Sequence, residues 1–220
     1  MIATKPFTRA EVKQAYDRRS WLYSKTVAEM ERDYHQIALN AANIQPDEKV
    51  LEVAVGPGLT FLELARRVGA ETRLTGIDLS PRMLQLTEQR MLAHGYTNFQ
   101  LKAADCRALP FADNTFDVLY NGYMLDLMPE AEMPQILAEF QRVLRPGGRL
   151  VLLNMSKADQ APTRRERLYQ KLPANVVLYL MGGCRPVLME EPTKAAGFQA
   201  VTRTFVGGKA PSEIVLGTKP

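Results

Sequence analysis

One stretch decides the fold: Val50-Leu51-Glu52-Val53-Ala54-Val55-Gly56-Pro57-Gly58-Leu59-Thr60, an apolar run that breaks into a glycine-bearing turn and continues into a helical pattern. It predicts a buried strand, a tight turn and a helix. Glycines in such a turn let the backbone approach a ligand, and the next helix offers free N–H groups at its start. The stretch therefore predicts an open α/β sheet that binds a nucleotide-like ligand beyond its first strand.

Strand and helix patterns alternate after this turn. Strands are predicted over residues 49–55, 73–78, 98–103, 115–120 and 149–154, and helices over 59–68, 80–94 and 129–144. Strands separated by helices of this length imply parallel βαβ units. Two late strands, 198–206 and 213–218, are joined by a short loop and predict an antiparallel hairpin. We therefore expect a Rossmann-like, doubly wound α/β fold with a seven-stranded, mostly parallel sheet.

Two further segments flank or interrupt this pattern. Apolar residues recur at helical spacing through the first 45 residues, which predicts an N-terminal helical cap that covers the substrate. Residues 46–220 then form the ligand-binding domain. Within it, residues 157–183 join a basic half to an apolar half. We interpret them as a lid over a lipophilic substrate, a membrane-surface element, or an ordinary amphipathic helix docked on the sheet.

The composition excludes several classes of protein. The chain has 220 residues, 46% of them hydrophobic and 24% charged, and its net charge of +4 does not demand a nucleic-acid partner. Cys106 and Cys184 lie far apart and outside any CxxC spacing, so neither a disulfide scaffold nor a metal site is expected. The N-terminus lacks an apolar signal core. We predict a cytoplasmic protein, with peripheral contact to the inner face of the membrane as one option.

A carboxylate follows the second strand at a telling distance from the turn. Asp78 lies twenty residues beyond Gly58, where a carboxylate can accept both hydroxyls of a ribose. A dinucleotide-binding turn would also need a third glycine where Phe61 stands, so that the helix can pack close to the strand. The pattern therefore favours an adenosine-type ligand over NAD.

Four motifs extend this pattern in a fixed order. They are residues 52–58, residues 76–84, Asp105 ahead of residues 109–117, and residues 144–150. Together they resemble the motifs of the class I S-adenosylmethionine-dependent methyltransferases, in particular the group that contains the ubiquinone and menaquinone C-methyltransferases. The resemblance covers about residues 46–156. It implies S-adenosylmethionine as the cofactor and S-adenosylhomocysteine as the product.

The resemblance also implies which residues bind the cofactor. Gly56 and Gly58 would lie under its methionine part, and Asp78 would hold the ribose. Ala54 departs from the family, which usually has glycine there, and its methyl group leaves less room for the methionine part. The other implied residues are Glu52 in the strand before the turn, Leu79 and Met83 near the adenine, Asp105 as acceptor for the adenine amino group, Cys106 beside it, Asn121 beside the sulfonium, and Tyr16, which lies over the cofactor or packs in the core.

The acceptor side gives fewer signals. A sulfonium is an activated methyl donor, so the protein has to align the reactants and exclude water. Tyr123 and Asp126 follow the fourth strand, where ligands of open α/β sheets bind, and Asp126 could take a proton from a hydroxyl or amine. A helix N-terminal carboxylate is the other interpretation of Asp126. His35, in the N-terminal helical segment, is the remaining candidate base, with a packing role as its alternative.

The sequence thus predicts in-line methyl transfer to a small, lipophilic acceptor: a quinone precursor, a phospholipid headgroup or a secondary metabolite. A nucleic-acid methyltransferase is the first alternative, disfavoured because Asn121-Gly122-Tyr123 does not match the Asn-Pro-Pro-aromatic motif of amino-methylating enzymes. A cofactor-binding protein without catalysis is the second, because of Ala54. The oligomeric state is left open.

Overall fold

The computed structural model describes residues 31–157, 164–173, 176, 184–208 and 210–220. In this part of the chain one sheet has the strand order β3-β2-β1-β4-β5-β7-β6. Its strands are β1 (Val50–Val53), β2 (Leu74–Asp78), β3 (Phe99–Ala103), β4 (Phe116–Gly122), β5 (Leu144–Met155), β6 (Gln199–Val206) and β7 (Ser212–Thr218). Strands β1 to β5 run parallel, and β7 pairs antiparallel with both β5 and β6. The predicted mostly parallel sheet with a C-terminal hairpin is confirmed.

Helices cover both faces of the sheet. They are α1 (residues 31–42), α2 (Leu59–Ala65), α3 (Pro81–Ala93), α4 (Met133–Val143), α5 (Arg164–Lys171) and α6 (Glu190–Ala195). Two clusters of buried apolar side chains lie on opposite faces, and successive residues of β5, Val151 and Leu152, belong to different clusters. This alternation follows from the two-residue period of a strand. Because both faces are covered, the central strands β1 and β4 are buried along most of their length.

Helix α3 begins and ends as its sequence predicts. The Ser80 side chain accepts a hydrogen bond from the Met83 N–H, and Pro81 occupies the first turn, where its missing N–H costs nothing. Gly95, with φ +80°, follows the last turn. The helix therefore has a fixed position relative to the carboxyl end of β2, which precedes it.

Two boundaries differ from the sequence-based prediction. The helix predicted over residues 129–144 is wrong at its start, because Glu130–Glu132 is a 3-10 turn and α4 begins only at Met133, with Pro134 in its first turn. The residues 145–148, predicted as a stop before the fifth strand, lie within β5 as a bulge. The strand register jumps there from Phe116–Leu144 to Val118–Arg149.

Helix α1 packs into the core of the sheet. Its Tyr34, Ala38 and Leu39 are buried in the same cluster as α2, and the Tyr34 hydroxyl accepts a hydrogen bond from Ala210 N–H at 3.2 Å. A domain boundary near residue 45 stays a prediction. Tyr16, the capping motif before it and most of residues 157–183 lie outside the described residues. None of the helices in the described ranges is long and apolar enough to cross a bilayer.

Candidate cofactor and acceptor site

The turn after β1 is built from left-handed backbone. Gly56 and Gly58 have φ of +53° and +78°, and Ala54 has φ +64°. A Cβ on Gly58 would lie 2.8 Å from the Cα of Thr87, so no other residue fits there. Ala54 adopts a conformation that costs an L-residue roughly 1–2 kcal/mol. The strain lies where the resembled family usually has glycine.

Strand β2 and helix α3 hold this turn in place. Asp78 Oδ2 accepts a hydrogen bond from Gly56 N–H at 2.9 Å, and Thr87 Oγ1 donates to the Gly56 carbonyl at 2.8 Å. Arg90 Nε donates to the Pro57 carbonyl at 2.9 Å. Sequence reasoning missed Thr87 and Arg90. Their signal was weak: two polar residues three apart on the face of α3 that meets the turn.

Asp78 both holds the backbone of the glycine turn and lines the cavity where a ribose could bind. Its Oδ1 accepts a hydrogen bond from Ser80 N–H at 2.8 Å, in addition to the bond from Gly56. The carboxylate is thus oriented by backbone groups, and it lines a cavity at the carboxyl end of β2. Two oxygens with about four lone pairs match the paired hydroxyls of a ribose.

Cavity 1 is the cleft that Asp78 lines. The cleft spans about 1170 Å³ of space free of protein atoms, and this figure includes open solvent at its mouth. The structure brings together in its wall these predicted cofactor-binding residues: Ala54, Gly56, Asp78, Leu79, Met83, Asp105 and Cys106. Gly58 and Asn121 are not in the wall: Gly58 precedes α2, and Asn121 donates from Nδ2 to the Val53 carbonyl at 2.8 Å.

An ion-pair network lies in the wall of cavity 1. Arg107 pairs with Asp105 through Nε and Nη2, at 3.1 and 3.0 Å, and its Nη1 donates to Glu132 at 2.9 Å. The network links the segment after β3 to the 3-10 turn before α4. Sequence reasoning missed Arg107 and Glu132, because their pairing joins residues 25 positions apart.

Phe61 explains why this turn does not suit a dinucleotide. The ring is fully buried between α2 and β2, and a Cβ on Gly76 would lie 2.7 Å from its Cε2. Where a dinucleotide fold uses glycine to bring helix and strand together, this chain places the small residue on the strand and the large one on the helix. The Phe61 ring therefore sets the distance between α2 and β2, and the lack of a side chain at Gly76 leaves room for it.

Cavity 2 adjoins cavity 1 on the side of α1 and α2. It spans about 1270 Å³, a figure that also includes open solvent, and its wall is mostly apolar but has a larger polar share than the wall of cavity 1. Both cavities share these lining residues: Ala54, Gly56, Pro57, Gly122 and Tyr123. His35 from α1, Glu52 from β1 and Thr60 from α2 line only cavity 2. The two cavities therefore meet above the carboxyl ends of β1 and β4.

Tyr123 stands at this junction in a strained conformation. Its φ of +51° is unusual for a bulky side chain, and strain of this kind concentrates at functional sites. The ring lies edge-on to His35, with centroids 5.4 Å apart, and the hydroxyl is 2.9 Å from that of Ser212. Burial raises the pKa of the phenol, so Tyr123 stays protonated at neutral pH. We assign it a shaping role at the junction.

Glu52 carries a buried acid group in the wall of cavity 2. The side chain is 3% exposed, and its Oε2 has no hydrogen-bond partner in the structure. Burial, followed by the charge of Asp78, raises its pKa well above the usual range. An unpaired buried oxygen of this kind is costly and suits a ligand with a positive charge or an N–H. Asn121 Oδ1 is likewise buried and unpaired.

Asp126 is not brought into the site. It is fully buried and belongs to the wall of neither cavity. Its Oδ2 accepts a hydrogen bond from Met155 N–H at 3.0 Å, and its carbonyl accepts one from Arg185 N–H at 3.1 Å. The structure contradicts the interpretation of Asp126 as an accessible base, because its carboxylate joins the loop after β4 to β5.

A comparison with known proteins agrees with this geometry. A family profile described as a methyltransferase domain matches residues 50–148. The chain is 34% identical over 128 residues to a ubiquinone/menaquinone biosynthesis C-methyltransferase of Geotalea daltonii, a match that covers 58% of this chain and 54% of the relative. The chain thus spans about half the length of the curated relative it matches.

Solved structures show the same fold. The N-methyltransferase NodS of Bradyrhizobium japonicum, in complex with S-adenosylhomocysteine, matches with a TM-score of 0.70 and 19% identity over 96% of this chain and 99% of its own. The [4+2]-cyclase SpnF matches with a TM-score of 0.69 and 18% identity over 86% of this chain and 80% of its own. At such identities these likenesses show the fold alone.

Residues 50–148 therefore form a methyltransferase domain, and the chain is similar in sequence to the ubiquinone/menaquinone C-methyltransferases. The cofactor is S-adenosylmethionine. The residues present fit it: a held carboxylate for the ribose, apolar Leu79 and Met83 beside it, and the unpaired oxygen of Glu52 for a ligand N–H. The predictions of family and cofactor are confirmed, while the role of each site residue stays a prediction.

Proposed function

We propose that the protein transfers the methyl group of S-adenosylmethionine, bound in cavity 1, to a small acceptor bound in cavity 2. The observation that carries this proposal is the junction of the two cavities. Ala54 and Gly56 face it from β1, and Gly122 and Tyr123 face it from β4. Two ligands that enter from opposite sides meet there, which is the arrangement that an in-line displacement needs.

The cofactor, when bound, supplies a methyl group that is already activated, so the residues of the chain bind, orient and exclude water. Asp78 offers a carboxylate to the ribose, and its bond to Gly56 couples that contact to the glycine turn. Thr87 fixes the same turn from the other side. The junction is walled by Tyr123, whose buried ring keeps water from the transfer point.

A quinone-type acceptor is the best-supported class. The relative's name says that it acts in ubiquinone and menaquinone biosynthesis, and it matches the domain that carries cavity 1. Phospholipid headgroups and secondary metabolites remain within the proposal, and the polar side chains in the mixed wall of cavity 2, such as His35, Glu52 and Thr60, support an acceptor that carries oxygen or nitrogen near its reacting atom.

Radiolabelled S-adenosylmethionine tests the proposal. The full chain is incubated with demethylated quinols, phospholipids with amine headgroups, and small phenols, each with and without vesicles. We expect label to appear in one acceptor class, and no label when Asp78→Ala replaces the wild type. Label in none of the classes, although S-adenosylhomocysteine raises the melting temperature by mass action, would contradict the proposal and leave cofactor binding intact.

Cofactor binding without label in any acceptor would instead support the alternative function, a cofactor-binding protein without methyl transfer. The structural likeness to the [4+2]-cyclase SpnF supports keeping it, since a protein named for a different reaction shares this fold. Nucleic-acid methylation remains disfavoured on the residues 121–123. Label transferred to total RNA or DNA would overturn that view.

A further inference from the structure

The two histidines of the sequence use the same ring nitrogen with opposite kinds of partner. His94 Nδ1 lies 2.8 Å from the carbonyl oxygen of Arg90. A carbonyl only accepts hydrogen bonds, so Nδ1 of His94 carries the proton. His35 Nδ1 instead lies 2.7 Å from the Tyr120 hydroxyl and 3.1 Å from the Thr60 hydroxyl. Hydroxyls donate as well as accept, so the surroundings decide which tautomer His35 adopts.

The two hydroxyls leave one consistent choice. In the described part of the chain, the side chains of Tyr120 and Thr60 make no hydrogen bond other than the one to His35. Tyr120 is fully buried, so leaving its O–H without an acceptor would be costly. Its hydrogen is satisfied only when Nδ1 accepts it. Nδ1 of His35 is therefore unprotonated.

The proton of the ring then lies on the other nitrogen. Burial lowers the pKa of His35 to about 4, so the ring is neutral at physiological pH and carries a single N–H. That N–H is on Nε2. Nε2 makes no hydrogen bond with any described residue, and His35 lines cavity 2. The ring thus offers a donor to the cavity, and it cannot act as the base that the sequence suggested.

We infer that cavity 2 binds a ligand oxygen of carboxylate or carbonyl type, and that His35 holds this oxygen through Nε2–H. Arg32 supports an anionic or strongly polarised oxygen, because it lines the same cavity and makes no ion pair within the described residues. Arg66, the other arginine of the wall, is paired with Glu63. Glu31, another glutamate of the wall, has interactions of its own, and burial raises the pKa of Glu52, which weakens its negative charge.

Under the proposed function, on which this step rests, two ligands carry such an oxygen. One is the carboxylate of the cofactor's amino acid part, and the other is an oxygen of the methyl acceptor. Both meet at the junction that cavity 2 shares with cavity 1. Binding and kinetic measurements separate these two sources, and the tautomer is measured without any turnover.

Nitrogen-15 NMR of the histidine rings tests the tautomer. The two signals of the full chain are assigned with His94→Gln, and His94 serves as the internal reference with its proton on Nδ1. We expect His35 to show the opposite pattern, with Nε2 protonated, down to about pH 5. Tyr120→Phe should let the two tautomers mix. A His35 ring that is protonated on Nδ1 in the wild type would overturn the inference.

Ligand affinities identify the oxygen. S-adenosylhomocysteine and 5′-methylthioadenosine, which lacks the amino acid part, are titrated into wild type, His35→Leu and His35→Gln. Loss of one charge-assisted hydrogen bond should weaken binding about tenfold in His35→Leu, and the amide of His35→Gln should restore part of it. A loss for S-adenosylhomocysteine alone assigns the oxygen to the cofactor carboxylate.

An unchanged affinity for both nucleosides, with a raised KM for the acceptor and little change in kcat, assigns the oxygen to the acceptor. If neither the two affinities nor the acceptor KM changes in His35→Leu, His35 binds no ligand and the inference fails. Failure of methyl transfer itself would remove the proposed function, but the tautomer and the nucleoside affinities would still be measurable.

Discussion

The two cavities share a junction, yet the chain builds them in different ways. Cavity 1 is lined by the carboxyl ends of β1, β2 and β4 and by the segments that follow β1, β2, β3 and β4, so most of its residues belong to short stretches of sequence around strand ends. The key contact of cavity 2 instead joins His35 to Tyr120, which lie 85 residues apart. Local sequence motifs form the wall of cavity 1, whereas packing between distant parts of the chain forms the wall of cavity 2.

We expect this difference to separate cofactor binding, in cavity 1, from acceptor selection, in cavity 2. The motif-built wall holds the part of the cofactor that any relative must hold. In the proposed function, the wall from α1 and α2 faces the acceptor. Changes in the first wall should therefore abolish cofactor binding, and changes in the second should alter transfer while the purine end still binds.

The largest effect is expected from Asp78→Ala. It removes the ribose acceptor and also the bonds to Gly56 and Ser80, so affinity for S-adenosylhomocysteine should fall about 100-fold by calorimetry. Asp113→Ala is the matched control, since Asp113 is an exposed carboxylate outside both cavities. Equal affinities in the two variants would mean that the ligand does not bind at the end of β2.

Gly122 lines both cavities, but Gly122→Ala should disturb mainly cavity 2, because the added Cβ would meet His35. The added Cβ would lie 2.7 Å from Cε1 of His35, so the ring has to move, and overpacking of this kind costs about 1–3 kcal/mol. We expect kcat/KM for the acceptor to fall about tenfold, while affinity for 5′-methylthioadenosine stays within about threefold. A parallel loss of both would show that the two walls are not separable.

The same contrast explains what the sequence could predict. The succession of strands and helices along the chain, the glycine turn and Asp78 follow from local patterns, because turn chemistry and strand periodicity act over a few residues. His35 was recognised only as a candidate base, since the hydroxyls that fix its tautomer come from distant elements. Asp126 was misinterpreted because an exposed base and a buried carboxylate that holds two segments together can occupy the same position after a strand. In the structure its carboxylate accepts a hydrogen bond from Met155.

Asp126 and His35 should differ in how they link stability to pH. Burial raises the pKa of Asp126 to about 7, so its contribution to stability is present below its unfolded value near 3.8 and is lost as pH rises through about 7. Burial lowers the pKa of His35 from 6.5 to about 4, so its contribution is present above 6.5 and is lost as pH falls through about 4.

Urea unfolding between pH 4 and 8 measures this difference. Asp126→Asn should flatten the decline of the unfolding free energy toward pH 8, and His35→Gln should flatten the decline toward pH 4. One proton is worth at most about 1.4 kcal/mol per pH unit. Asp126→Asn should also leave transfer to the acceptor unchanged, because Asp126 lines neither cavity. Slower transfer at equal folded fraction would return Asp126 to the mechanism.

The smallest effect is expected at Ala54, which lines both cavities. Ala54→Gly relieves a left-handed backbone, a gain of roughly 1–2 kcal/mol, but glycine also makes the unfolded chain more flexible by about 0.4–1 kcal/mol. The melting temperature should therefore rise by only a few degrees, and affinity for S-adenosylhomocysteine should change less than about threefold. A large gain in affinity would instead show that the methyl group of Ala54 narrows the junction, because it faces both cavities. The strained residue would then tune cofactor binding rather than merely tolerate it.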